Sequence, residues 1–505
     1  MSEAYGALEK LFEEHYRYHH MMQLALWDAR TMMPPKGAKA RGAATAQLKW
    51  HMHELLTNAY IQKLLAAAAT EAPRLGEIEQ ANLREMRRRH LSESALPAEF
   101  VLRKARLVTE ATVCWAKARA QNSFALYEPY LRQCIACARE EARYRSAIFG
   151  TGTYESLFHL YECGMSLESV DAIFADMKVW LPALLRKVLA AQKTRMAATV
   201  PLKGPFPVEQ QRPLCEFMAQ VWGFDFEGGR LDPSPHPFTG MVAEDTRITT
   251  NYSTATYAKA MFMTIHETGH SRYNVNLGPS GKRGQPVAEV RSLVIHEGQS
   301  RMAEVVIGRS GAFAHYATPV LRRFLGEDPA FASAENVRQV HQRVQPDYIR
   351  ITADEVCYPL HILLRYEIER DLIEGRIEVE DVPRVWNEKM QSYLGLSTEG
   401  RDNVGCLQDT HWSWCSFGYF PTYTLGSMYA AQLMASIKRE LGEAVVNEAI
   451  RTGQLAPILA KQQEKVWQHG SRYSTEELIR RSTGEALNPQ YFRDYLERRY
   501  LHGED

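Results

Sequence analysis

Apolar residues recur at three- and four-residue intervals along most of this chain, the spacing that lines one face of an α-helix. Residues 5–26 set Leu8, Leu11, Phe12 and His15 on one stripe. The stretch "LESVDAIFADMKVWLPALLRKVLAAQ" sets Val170, Ile173, Phe174 and Met177 on another, with Ser166 placed as an N-cap and Glu168 in the first turn. The same periodicity predicts long helices over about 47–95, 98–148, 335–375 and 425–500. One region breaks it. Residues 198–240 carry Pro201, Pro205, Pro207, Pro213, Pro233, Pro235 and Pro237, a density that excludes continuous helix. "MVAEDTRITTNYS" follows, rich in Thr, Val and Ile and partly alternating, which predicts one or two short strands. Helical spacing resumes in "TATYAKAMFMTIHETGHSRYN". The expected fold is mainly α with a minor sheet, and no internal repeat is evident.

Composition narrows the function classes. Lys+Arg and Asp+Glu balance at 60 each, so no basic excess points to nucleic acid. No run of about 18 apolar residues marks a membrane span. The start "MSEAYGALEKLFEEHYRYHH" is polar and helical, unlike a signal peptide. Eight scattered cysteines do not form a disulfide framework and favour a reducing, cytoplasmic setting. Cys134 and Cys137 form C-x-x-C within a helical pattern and lack a second ligand pair, so they read as buried helix cysteines.

The chemistry concentrates in "MTIHETGH", Met263–His270. On a helix, His266 and His270 lie one turn apart on one face and can present two imidazoles to one metal. Glu267 can then act as general base on a metal-activated water. The motif is short enough to arise by chance, but Met261, Phe262 and Ile265 give the pair an apolar flank. Gly269 costs its helix up to about 1 kcal/mol, which hints at close packing or a ligand above it. A catalytic zinc site needs a third protein ligand. The next helical stretch, "PVAEVRSLVIHEGQSRMAEVVIG", offers Glu289, Glu297 and Glu304; the last two share a face, and periodicity does not choose among the three. No H-x-x-G-x-x-H continuation follows His270.

Six segments in series resemble one family, the carboxypeptidase Taq zinc metallocarboxypeptidases. They are "LWDARTMMPPKGAKARGAATAQL", similar to a W-D-x-x-x-x-M-P-P start; "HPF" at His236–Phe238 with "DTRIT" at Asp245–Thr249; the H-E-x-x-H itself; "HEGQS" at His296–Ser300; "IRITAD" at Ile349–Asp354; and "GCLQDTHW" at Gly405–Trp412. The resemblance implies Glu297 as third ligand, Glu267 as general base and one Zn2+ per chain, with cobalt or manganese able to substitute. It implies one catalytic domain over 1–505, elongated and mostly helical, with a deep central groove and a small sheet beside the H-E-x-x-H helix. The helices of residues 1–100 would partly cover that groove. The fold is similar to neurolysin and the angiotensin-converting enzymes, and the resemblance adds a homodimer.

The remaining motif residues follow from the same source. An enzyme that trims chain ends must recognise a free α-carboxylate, for which arginine's planar fork is suited. On spacing alone, an Arg350–Asp354 pair one helical turn apart is the simpler reading; the resemblance assigns Arg350 to the substrate carboxylate instead. Arg247 binds substrate or holds the sheet edge to the site. His411 is expected to steady the oxyanion, with Tyr423 beside it and Tyr419 as competitor; plain aromatic packing is the alternative for both tyrosines. Gln408 and Asp409 belong beside the site or along the groove. The expected activity is release of single C-terminal residues from peptides with a free C-terminus. A related zinc oligoendopeptidase is the alternative, and an inactive helical scaffold is disfavoured because ligands and base are all present.

Overall fold

The structure is a computed structural model and describes residues 3–504. It opens with α1 (Glu3–Thr31), α2 (Ala38–Thr57), α3 (Ala59–Glu71) and α4 (Glu77–Ser94). These are followed by α5 (Ala98–Ala120), α6 (Phe124–Phe149), α7 (Thr153–Phe158), α8 (Leu167–Arg195) and α9 (Val208–Val221). Strands β1 (Gly229–Pro233), β2 (Thr239–Val242) and β3 (Asp245–Thr250) lead into α10 (Ala258–Val275). Next come α11 (Leu293–Arg301), α12 (Gly311–Leu325), α13 (Ala334–His341), α14 (Tyr358–Glu374), α15 (Val382–Leu394) and α16 (Pro421–Leu441). The chain ends in α17 (Glu443–Thr452), α18 (Ala456–Lys465), α19 (Thr475–Thr483) and α20 (Gln490–Glu497). The molecule is mainly helical, with one three-stranded sheet. Among the described residues no helix is long and apolar enough to cross a membrane.

Local chemistry explains where the long helical patterns divide. Asn58 ends α2 and caps α3, its side chain accepting from the Tyr60 and Ile61 amides. The 98–148 pattern breaks at residues 121–123, where the Phe124 amide donates to Asp402. The 335–375 pattern is two helices separated by residues 342–357, because Pro346 and Pro359 restrict the residues before them and supply no amide. Gly442, Gly453 and Gly484 end α16, α17 and α19, so the 425–500 pattern is five helices. Conversely, the proline-rich segment contains α9: Pro207 stands at its N-cap, and Leu214, Cys215, Met218 and Ala219 bury one face beyond Pro213. Ser166 caps α8 as expected, accepting from the Ser169 amide. Cys134 and Cys137 are buried free thiols of α6.

The first four helices keep a core of their own, built from Tyr5, Leu8, Phe12, Leu56, Ile61, Leu65 and Met86. Buried polar contacts join it to the main body. Arg291 pairs with Glu85 at 3.1 Å with both side chains 3% exposed, and Asn82 donates to Gln285.

The sheet has the order β1-β3-β2, with β1 parallel and β2 antiparallel to the central β3. Side chains alternate across a strand. Thr246, Ile248 and Thr250 therefore share one face, and it faces α10: Thr250 donates to the Ala260 carbonyl and Thr246 bonds the Ser271 hydroxyl. Cys215 and Ala219 of α9, Leu231, Ile248 and Ala260 close the small core between α9, the sheet and α10. Arg247 emerges on the opposite face, over the Trp27 ring of α1 at 4.4 Å.

Candidate metal centre and active site

Three helices meet at the site, and missing side chains let them approach. A Cβ on Gly269 would lie 2.8 Å from the Gln299 carbonyl and from Ser300 Cα, so α10 rests directly on α11. A Cβ on Gly426 of α16 would lie 2.7 Å from Glu297 Cβ. The helix-weakening Gly269 of the motif is thus a packing requirement.

His266, His270 and Glu297 present ligand atoms that all lie within 4.8 Å of one another. One oxygen of Glu297 stands 3.7 Å from His266 Nε2 and 3.4 Å from His270 Nε2. Of the three acids left open by spacing, this selects Glu297. Glu289 instead pairs with Arg89. Glu304 accepts from His266 Nδ1 at 3.0 Å. Burial would raise the Glu304 carboxyl, but Arg301, His266 and Arg309 outweigh it and hold it below the usual range. It stays a carboxylate, so His266 Nδ1 carries a proton and Nε2 is the nitrogen that would give up its own to bind a metal. A π-helical turn, Met302–Ile307, carries Glu304 into place directly after α11. Burial pulls His266 down, yet Glu297, Glu304 and Glu267 together lift it to about 9, so the cluster calls for a cation. The His270 ring stacks on His296 at 4.2 Å, and His296 Nε2 bonds Asn274 Oδ1. Donor types, convergence and the fixed His266 tautomer all fit a catalytic metal ion.

Glu267 lies beside the ligands and is 5% exposed. Its Oε2 accepts from the Thr239 hydroxyl at 2.6 Å.

A second cluster lies close by, with Tyr358 and Tyr419 each feeling both Glu297 and Arg350. Arg350 sits on a 3-10 turn, Arg350–Thr352, and not on a helix. The Arg350–Asp354 pair that spacing alone suggests does not form: Asp354 accepts from the Gln345, Val356 and Cys357 amides. Arg350 instead binds Asp409 and donates to the Tyr358 hydroxyl at 3.0 Å. Gln408 commits its amide to backbone, accepting from the Arg350 amide and donating to Tyr348 and Val404, so it holds the turn that carries Arg350. Burial would raise Asp409, but Arg350 and Arg365 outweigh it and hold it well below the carboxylate range.

His411 Nε2 and the Tyr423 hydroxyl share a hydrogen bond at 3.2 Å. Tyr419 packs against both, with ring centroids 5.2 Å away in each case. Burial raises the Tyr419 phenol to about 12; Glu297 and Glu267 add to the rise and Arg350 opposes it. One side chain thus feels Glu297, Glu267 and Arg350 together. Burial, with Arg350 and Arg365 adding to it, pushes His411 down to about 3, so its ring is neutral. Arg247 is apart from this group: it pairs with Asp245 through two hydrogen bonds of 2.8 and 2.9 Å beneath Trp27.

Sequence reasoning did not foresee the parts played by Tyr358, Arg365, Thr239 and His296. Two signals were present: Tyr358 and Arg365 are seven apart on one helix face, and Thr239 directly follows "HPF".

Comparison with known proteins places the chain in a family. A family model described as carboxypeptidase Taq (M32) metallopeptidase matches residues 7–500. The chain is 33% identical over 488 residues to carboxypeptidase 1 of Bacillus subtilis, covering 96% of this chain and 95% of that protein. It is 35% identical over 493 residues to thermostable carboxypeptidase 1 of Thermus thermophilus, covering 94% of each. Among solved structures, metallocarboxypeptidase 1 of Trypanosoma cruzi superimposes with a TM-score of 0.97 at 53% identity, covering 99% of both chains.

Proposed function

The chain belongs to the carboxypeptidase Taq (M32) metallopeptidase family, and from that premise we propose that it releases single residues from the free C-termini of peptides, using Glu267 as general base. The observation that carries the proposal is the buried cation pair beside the metal ligands. Arg350 and Arg365 share the single carboxylate Asp409, which leaves one net positive charge near Tyr419, a side chain that also feels Glu297 and Glu267. A substrate carboxylate would neutralise that charge with a charge-assisted fork.

His266, His270 and Glu297 would hold the metal, and two imidazoles with one carboxylate are a donor set suited to Zn2+. When bound, such an ion acidifies water and polarises a carbonyl. Arg350 anchors the terminal carboxylate and so sets which peptide bond reaches the base. Glu267 takes the proton of the attacking water and returns it to the leaving amine. Tyr423, with His411 behind it, donates to the developing oxyanion. The neutral His411 ring suits this because it adds no cation beside Arg350.

The test is a mass-spectrometric time course on one peptide as free acid and as C-terminal amide. Stepwise shortening of the acid alone supports the proposal. Equal cleavage of both forms, at internal bonds, overturns it in favour of an oligoendopeptidase. Glu267→Gln is expected to lower turnover by about 10²–10⁴-fold with peptide binding retained.

A further inference from the structure

Neither "HPF" nor "DTRIT" contributes a group to the chemistry just described, yet the two segments are bonded to each other beside the base. The Phe238 amide donates to Thr249 Oγ1 at 2.9 Å, and the Thr249 amide donates to the Phe238 carbonyl at 3.0 Å. These two bonds fix the entry to β2, one residue before Thr239. Register then decides where Thr239 points. Thr239 pairs with Ile248 across the antiparallel ladder, and opposed residues share a face. That face is the one Thr246 and Thr250 turn toward α10. The Thr239 hydroxyl thus arrives over the first turn of the metal-binding motif. It lies 2.9 Å from the Glu267 carbonyl and 2.6 Å from Glu267 Oε2. A hydroxyl has one proton to give, and the charged carboxylate is the stronger acceptor.

We infer that Thr239 is the positioning residue of Glu267, and that the "HPF" and "DTRIT" segments serve to hold it there. The inference rests on the reading of Glu267 as general base. By holding Oε2, Thr239 fixes the carboxylate plane and turns Oε1 toward the attacking water; among the described residues Oε1 accepts no hydrogen bond from protein. Without the hydroxyl, Glu267 can rotate about its side-chain bonds, and a base misplaced by about 1 Å costs on the order of 10²-fold in rate. The Asp245–Arg247 pair belongs to the same support, bracing the far face of the sheet against Trp27.

The experiment compares Thr239→Val, which keeps the shape and removes the hydroxyl, with Thr239→Ser, which keeps the hydroxyl. Both are made in the metal-loaded full chain. For Thr239→Val the expected kcat falls about 10- to 100-fold, with KM and metal content unchanged. Thr239→Ser is expected to stay within about threefold of the parent. Wild-type kcat in Thr239→Val overturns the inference, as does an equal loss in both variants, which would mark a packing role. Crystal structures of the two variants give a readout apart from turnover: the Glu267 carboxylate displaced with Val and in place with Ser. A carboxylate unmoved in the Val variant also overturns it. Preference for a free or amidated C-terminus bears only on where the peptide is cut, so failure of the exopeptidase reading is separately visible.

Discussion

Arg350 is bound to Asp409 by three hydrogen bonds, Nη2 at 2.8 Å and Nε at 3.1 Å from one carboxylate oxygen and Nε at 3.4 Å from the other, which Arg365 reaches at 2.6 Å. Arg350 and Arg365 are buried and Asp409 is partly buried; together they carry a net charge of one, since burial brings Arg365 down only to about 10 and leaves it protonated. The arrangement makes the two ends of the Arg350–Asp409 pair unequal. Arg350→Ala leaves Asp409 partnered by Arg365, so the fold should survive. The loss should fall on substrate binding: about 2–4 kcal/mol in kcat/KM for free-acid peptides, roughly 30- to 1,000-fold, and little for amides. Asp409→Ala leaves two buried guanidinium groups facing each other and should cost about 3–5 kcal/mol of stability. Steady-state kinetics and urea unfolding of the two variants check this; equal effects on stability would count against the asymmetry.

Glu304 holds the His266 tautomer through a 3.0 Å hydrogen bond without itself being among the converging ligands. Glu304→Gln keeps an acceptor but removes the charge that polarises the imidazole. Metal affinity should drop about 10- to 100-fold while the three ligands stay in place. Competition against a chelator of known affinity measures it.

Gly269→Ala opposes two effects of known sign. Helix propensity favours alanine by up to about 1 kcal/mol. The new methyl group, however, meets the backbone of α11 at 2.8 Å and cannot be relieved by a side-chain rotation. Overpacking of this kind costs about 1–3 kcal/mol. The variant should therefore be less stable even without metal, as read by thermal unfolding of the metal-free protein.

His341 gives a pH dependence separate from the metal site. Its Nε2 shares a hydrogen bond of 2.7 Å with the Tyr257 hydroxyl. Burial, with Arg309 nearby, pushes its pKa down to about 3. The unfolded chain, with an ordinary value of about 6.5, binds one more proton between pH 6.5 and 3. Stability is therefore full above pH 6.5 and falls toward acid by up to about 1.4 kcal/mol per pH unit from this group. His341→Gln keeps a hydrogen-bonding partner for Tyr257 and cannot titrate. The stability difference between pH 7 and pH 4 should shrink by roughly 3 kcal/mol relative to the parent, measured by denaturant unfolding at each pH.

Much of this protein was written in local sequence. The i, i+4 spacing of His266 and His270 is a property of one helix, so the motif placed two candidate ligands on one face, with a carboxylate next in sequence, before any fold was known. Ser166 capping α8 and the strand at "DTRIT" are likewise short-range matters of capping and alternation. The breaks at Asn58 and before Pro346 are local too, but a periodicity that treats every turn alike runs through them. Other features were decided only by tertiary structure. Glu297 and Glu304 share a helix face in the sequence, and which one reaches the Nε2 side of both imidazoles depends on how closely α11 approaches α10 at Gly269 and α16 at Gly426. Arg350 has Asp354 four residues away, yet binds Asp409, because the chain between α13 and α14 is not helical and the turn is held from afar by Gln408. Thr239 reaches Glu267 only through the register of β2 on β3. Helix periodicity and capping act over a turn or two and can be read from neighbours in the chain. Ion pairing, metal-ligand convergence and strand register join residues dozens to hundreds of positions apart, and packing alone chooses those partners.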